Sequence, residues 1–190
     1  MSGYRAASVL TDQPDGTHLD LATALGVTPA GTVENPFFCS GFVIRPDVVA
    51  SGLLAVADIA ASRYVDAGLT KRLANLDPVV TAGGDRLRFE SFSACNSVYA
   101  RFDLDRDGLG SSEVGFGTTN VDLNLPLRTA LARTGRTEAL HLSVGGTELR
   151  VATLSATHVE RKVTLPERWI RGLAEVPALS CDLQPVTRLF

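Results

Sequence analysis

Three aspartates at alternate positions, Asp103, Asp105 and Asp107, followed by Gly108, are the residues whose types and spacing come nearest to a cation site. Alternating carboxylates ahead of a glycine converge on calcium when the chain wraps the ion and a bidentate glutamate closes the loop at the twelfth place. Here the twelfth place is Val114, the glutamate stands one position early at Glu113, and the eighth place, normally apolar, is Gly110. No helical pattern flanks the run. It reads as a strand end followed by an acidic turn, with no bound metal expected.

Nucleophilic and acid–base chemistry finds little to work with. No GxSxG elbow, phosphate-binding P-loop, GxGxxG after a strand, or HExxH is present. The histidines, His18, His141 and His158, each fall in a strand-like run, and a catalytic base needs a nucleophile that no spacing here nominates. Exposed strand histidines account for them. Cys39, Cys95 and Cys181 are far apart and odd in number, which excludes a CxxC zinc pattern and a disulfide framework. Cys95 next to Asn96 lacks a neighbour that would lower a thiol pKa, so buried reduced thiols are expected. The paired glycines Gly83-Gly84 and Gly145-Gly146 sit between strand runs and read as hairpin turns that use positive φ, not as phosphate loops. No cofactor is expected, and the chain reads as a non-enzyme.

Phosphate contact has one candidate. Arg128, Arg133 and Arg136 lie on or just past a predicted helix and form a modest basic patch. The other predicted helix offers only Arg63 near its end and carries Asp47 and Asp58 on polar positions. The formal net charge of -3 gives no global pull toward nucleic acid or acidic membranes.

The elements that must position these groups follow from pattern. Tyr4–Leu10, the turn DQPDG and HLDLATAL form a hairpin, followed by a loop from Gly26 to Pro36. FFCSGFVI (Phe37–Ile44) is a short strand, and Arg45-Pro46-Asp47 opens a helix with proline in the first turn. Val49, Leu53, Val56, Ala60 and Tyr64 recur at helical spacing. Three strands follow, at Pro78–Ala82, RLRFESF and Val98–Leu104. The order then repeats: a strand at Thr118–Leu123, a helix capped by Asn124 with Pro126 in its first turn and stopped by Gly135, and three strands in ALHLSV, TELRVATL and HVERKVTL. A short helix from Pro166 would dock Trp169, Ile170 and Leu173 on the body, with CDLQPVTRLF as an extended end.

The halves also match residue by residue. AGGDRLRFES at Ala82 aligns with VGGTELRVAT at Val144, an offset of 62, and SVYARFDL at Ser97 aligns with HVERKVTL at His158, an offset of 61. The helix-opening prolines are offset by 80, so the first unit carries about 18 extra residues around Asp66 to Asp77. Shared type, order and near-constant offset indicate an internal duplication. At 190 residues with 45% hydrophobic residues, one core is expected for the whole chain: 1–36 as hairpin and loop, 37–104 and 117–165 as the two units, 166–190 as helix and tail. The fold class is α+β, with both helices on one face of a joined antiparallel sheet.

Two β-α-β-β-β units with two helices on one sheet resemble one domain of the DNA sliding clamps, over roughly Phe37 to Leu165. In addition VTAGGDRLRFESFSACNSVYARFDL, GTTNVDLNLPLRTALAR and VERKVTLPERWIRGLAEV are similar to the N-terminal region of actinobacterial SWIM zinc-finger family proteins, although the CxC and CxH signature is absent here. The clamp resemblance implies a scaffold that assembles with itself or with protein partners through open sheet edges, beside or around DNA. The SWIM resemblance itself assigns no role, and the second alternative is an interaction module of a larger, SWIM-type protein with no nucleic-acid role. An enzyme of unrecognised type is the third alternative. No apolar run reaches the ~18 residues of a membrane span or forms a signal peptide, so the expectation is a cytoplasmic protein.

Overall fold

The computed structural model describes residues 9–13, 16–20, 26–28, 31–33, 37–62, 78–110, 114–163 and 167–181. It is an α+β structure whose strands are β1 (Val9–Gln13), β2 (Gly16–Asp20), β3 (Gly26–Thr28), β4 (Gly31–Val33), β5 (Phe37–Phe42), β6 (Val79–Gly83), β7 (Arg86–Phe92), β8 (Tyr99–Asp105), β9 (Phe116–Asn120), β10 (His141–Gly145), β11 (Glu148–Ala152) and β12 (Thr157–Arg161). The helices are α1 (Pro46–Ala61), α2 (Leu125–Arg133) and α3 (Glu167–Ser180).

Both units form in the expected order, β5-α1-β6-β7-β8 and β9-α2-β10-β11-β12. Their strands, however, do not lie in one continuous ladder. Two four-stranded antiparallel sheets form, β8-β7-β6-β9 and β12-β11-β10-β5, so each unit gives its first strand to the other's sheet. The exchange ties the halves together. β9 and the residues flanking it also contact the second unit's strands and β5: Val114 bridges Cys39, Val121 bridges Lys162, and the Thr119 hydroxyl donates to the Gly146 carbonyl at 3.2 Å.

Local chemistry sets the helix ends. Pro46 opens α1 and needs no hydrogen-bond partner there. The Asn124 side chain accepts from the Leu127 N–H at 3.0 Å, and α2 ends at Thr134, whose N–H bonds the Leu131 carbonyl. On α1 Val49, Leu53, Val56 and Ala60 are buried, a stripe at helical spacing. α1 lies on β7 and β8 and packs against α2. Leu127 and Leu131 of α2 join Leu53, Phe89, Leu87, Leu142, Val144, Leu149 and Val151 in a single core shared by both sheets. The Ser91 hydroxyl, buried under α1, donates to the Val56 carbonyl at 2.7 Å.

Several expectations need correction. The stretch from Gly26 to Pro36 contains a second antiparallel pair, β3 with β4, because Val27-Thr28 and Thr32-Val33 are β-prone. The first strand of the second unit starts at Phe116, two residues earlier than the pattern indicates, since Gly117 masks the alternation. That glycine is required by packing: a Cβ there would stand 2.6 Å from the Phe38 ring. Of the paired glycines, Gly84 turns at φ +87, whereas neither Gly145 nor Gly146 adopts positive φ. Both are buried, and the Gly146 carbonyl accepts from the Thr119 hydroxyl of β9. Tyr4, Tyr64, Arg63, the insertion around Asp66 to Asp77 and the tail beyond Cys181 lie outside the described residues.

α3 docks on the first sheet and against the C-terminal end of α1. Trp169 is fully buried with Phe92, Val79 and Ala60, and Ile170, Leu173 and Tyr99 pack around it. The backbone of β2 lies against α3. Neither α3 nor the N-terminal hairpin pairs with a four-stranded sheet, and among the described residues β8 and β12 each have a strand on one side only.

Candidate functional site

Alternation along β7 and β8 sorts their side chains onto two faces. Leu87, Phe89 and Ser91 point into the core, and Arg86, Arg88 and Glu90 point the other way. Arg86 faces Asp105, Arg88 faces Asp103 and Glu90 faces Arg101 across the ladder. The outer surface of this sheet is therefore a lattice of charges, with Asp103 at its centre. The Asp103 carboxylate accepts from Arg88 Nε at 3.0 Å and from Arg101, with Arg86 at 3.6 Å. Burial alone pushes the Asp103 pKa up, but the hydrogen bonds from Arg101 and Arg88 outweigh it and hold the carboxyl below its ordinary range. Tyr99 donates to Glu90 at 2.6 Å, and burial followed by that bond pushes its hydroxyl pKa up.

This lattice explains what Asp103, Asp105 and Asp107 do. Asp103 and Asp105 are strand residues engaged with arginines, and Asp107 is exposed on a single 3₁₀ turn, Arg106–Leu109. Val114 at the twelfth place is already bridged to β5. The three carboxylates do not converge. Among the described residues no group of three or more His, Cys, Asp or Glu side chains is placed to hold a metal ion.

The α2 arginines are divided. Arg128 is bound to Asp58 of α1 and is no longer an unpaired charge. Arg133 and Arg136 are exposed, with no ion-pair partner among the described residues. Asp47 is held by Arg45, 2.9 Å away. Arg133 at the end of α2 and Arg136 just past it are thus cations without an ion-pair partner among the described residues.

Histidines and cysteines are placed apart from one another. His141 is half-buried, not exposed, because the Phe42 ring of the neighbouring strand sits edge-on at 4.8 Å. Its Nδ1 lies 3.4 Å from Ser143 Oγ, which in turn is 2.9 Å from Ser40 Oγ. His158 is half-buried on β12, and the His18 side chain lies outside the described residues. Of the three thiols only Cys39 is buried, and burial pushes its pKa up to about 11. Cys95 sits exposed in the turn after β7, and Cys181 is exposed just past α3. In native protein a thiol-specific reagent is expected to modify Cys95 and Cys181 within minutes and Cys39 only on unfolding. Counting modified sites by mass spectrometry checks this, and early labelling of Cys39 would contradict its placement.

Sequence reasoning did not single out Arg86, Arg88 and Arg101. The signal was present, in the period-two alternation of RLRFE and ARFDLD, but their partners follow only from the register. No helix of the described residues is long and apolar enough to cross a membrane.

No family model matches the chain, and no curated protein matches it. Among solved structures it is similar to DNA polymerase III subunit beta from Borrelia burgdorferi, at 12% identity over 70% of this chain and 32% of that one, with a TM-score of 0.46. The corresponding subunit from Pseudomonas aeruginosa matches at 13% identity over 78% and 32%, TM-score 0.46. A PCNA2–PCNA3 complex from Sulfolobus tokodaii matches at 15% identity over 85% and 60%, TM-score 0.45. The match thus spans about a third of each beta subunit's length.

Proposed function

We propose that the chain is a non-enzymatic, clamp-like scaffold domain that associates with itself or with a protein partner through its open sheet edges. The observation that supports this is the state of β8 and β12, each with a strand on one side only among the described residues. Unpaired edges carry backbone donors and acceptors that another chain can satisfy. The charge lattice on β8 and the exposed Val159 on β12 give the two edges different characters, which favours pairing between unlike edges.

Light scattering at micromolar concentration tests the reading. The expected mass is at least twice the 20.1 kDa of one chain, unchanged between low and high salt. Val159→Lys, which places a charge on the outer side of the β12 edge, is expected to return the protein to monomer. A monomeric wild type at all concentrations would remove self-association and leave the SWIM-like alternative, an interaction module whose partner is another chain or another part of a larger protein.

A nucleic-acid role is a second reading, favoured only by the exposed Arg133 and Arg136. If they touch phosphates, replacing both by Glu weakens binding to a DNA duplex and reduces the dependence of log affinity on log salt by about two. Binding with an unchanged slope would exclude these two residues as the contacts. Arg128→Glu is the less informative change, because it also breaks the pair with Asp58.

A further inference from the structure

On the outer surface of the first sheet lies a depression of about 380 Å³, lined by Thr81, Gly83, Asp85, Arg86 and Arg88. It exists because three neighbouring positions are short: Gly83 has no side chain, and Thr81 on β6 pairs with Thr118 on β9. Arg86 and Arg88 rise from β7 on one side, and Phe116 stands on the other, its ring against Gly84.

The donors at this site are not all used. Arg86 is committed to Asp85, at 2.7 and 3.0 Å, with Asp103 and Asp105 beyond. Arg88 gives only its Nε to Asp103, at 3.0 Å, and its two terminal nitrogens donate to no described residue, on a side chain 34% exposed. The Thr81 and Thr118 hydroxyls are 3.4 Å apart, so one donates to the other and the second keeps its own proton for a ligand. A free guanidinium fork and a hydroxyl donor side by side call for an acceptor-only group. Charge then limits the acceptor: Arg86, Arg88 and Arg101 share this face with Asp85, Glu90, Asp103 and Asp105, and Asp85 at the rim repels a dianion, so the acceptor carries a single charge. A planar carboxylate matches the planar fork in a bidentate pair.

We propose that Arg88, with Thr81 and Thr118, forms a carboxylate-binding site on the outer face of the β6–β9 sheet. The carboxylate is either a small free acid or the acidic side chain of a peptide. The site lies across β7, β6 and β9, one strand in from the β8 edge and in the other sheet from β12.

Amide and Arg Nε–H chemical shifts, followed by NMR during titration, test it. The probes are sodium acetate and the blocked tripeptide acetyl-Gly-Glu-Gly-amide, with sodium chloride at matched ionic strength as the reference. Saturable shifts confined to Thr81, Gly83, Arg88 and Thr118 are expected with at least one probe. Tripeptide binding fivefold or more tighter than acetate assigns the site to an acidic side chain, and equal binding assigns it to a free small acid. Arg88→Gln is expected to abolish the shifts and Thr81→Val to weaken binding about threefold to tenfold. Because Arg88→Gln also removes a partner of Asp103, Thr81→Val, which leaves every ion pair intact, decides the matter if the first variant misfolds. Shifts reproduced by chloride, absent with both probes, or unaffected by Thr81→Val would overturn the proposal.

Discussion

Trp169→Ala is expected to lower the stability of the protein by about 3–5 kcal/mol, the range for truncating a large buried aromatic. Trp169 is the largest fully buried side chain, and it is the anchor of α3. Its ring meets Phe92 edge-on at 5.7 Å, and Phe92 stacks at a tilt on Tyr99 at 5.2 Å. Gly172, one turn along, comes so close to the Phe92 ring that a Cβ there would stand 2.8 Å from it. Without the indole, little else holds the helix, since Ile170, Leu173 and Val176 are only partly buried. Hydrogen exchange should therefore show Glu167–Ser180 losing protection while β10 and α1 keep theirs, because the main core is built from other residues. A variant within 1 kcal/mol of wild type, or one that loses protection throughout, would contradict this division. Trp169→Phe should cost less, by about 1–2 kcal/mol. The indole Nε1 has no hydrogen-bond partner among the described residues, so removing it relieves a desolvation penalty that offsets part of the lost volume.

How far the sequence carries depends on the range of the interactions involved. Pro46 and Asn124 mark helix starts because capping is settled within four residues. RLRFESF forms β7 over all of its seven residues, since alternation of Leu87 and Phe89 with arginines is a local record of two different faces. Strand partners are another matter. β5 pairs with β10, about a hundred residues away, and β9 returns to β6; nothing in FFCSGF or TTN states that preference. It emerges from the duplication, in which each unit satisfies the other's open edge. Likewise β3 and β4 are hidden by the glycines and proline around them.

The candidate site was legible in kind but not in arrangement. Arginines and aspartates at alternate positions of β7 and β8 announce a solvent-facing, charge-bearing surface. That Asp103 takes both Arg88 and Arg101, and so leaves the Arg88 fork unspent, depends on cross-strand register. Arg128 shows the same limit in reverse. Its helix face was visible in the sequence, while Asp58, 70 residues earlier, is a partner only because α1 and α2 pack together.

Glu160 has the second large expected effect, and its sign depends on pH. It sits on β12 facing inward, 6% exposed, opposite Leu149. Burial, with a further push from the Asp122 carboxylate, raises its pKa from 4.5 to about 7. Between those two values the folded protein holds a proton that the unfolded chain has already released, so unfolding sheds a proton and stability falls as pH rises through that window. Below the unfolded value the group is neutral in both states and contributes nothing. Above about pH 7 it is charged in both, and the full penalty, of order 3 kcal/mol, applies. Glu160→Gln removes the ionisation and keeps the shape, so it should stabilise the protein by about that amount at pH 8.5 and by almost nothing at pH 4. Asp122→Asn should act in the same direction but less, because Asp122 is exposed and repulsion is the smaller cause. Urea midpoints of both variants at the two pH values measure this. A Glu160→Gln effect of equal size at both would assign the difference to packing, not to the buried charge. An inward carboxylate on an open edge strand is also one of the devices by which proteins discourage indiscriminate pairing of such edges. If β12 is an assembly surface, its neutral form below pH 7 should then associate more readily than its charged form.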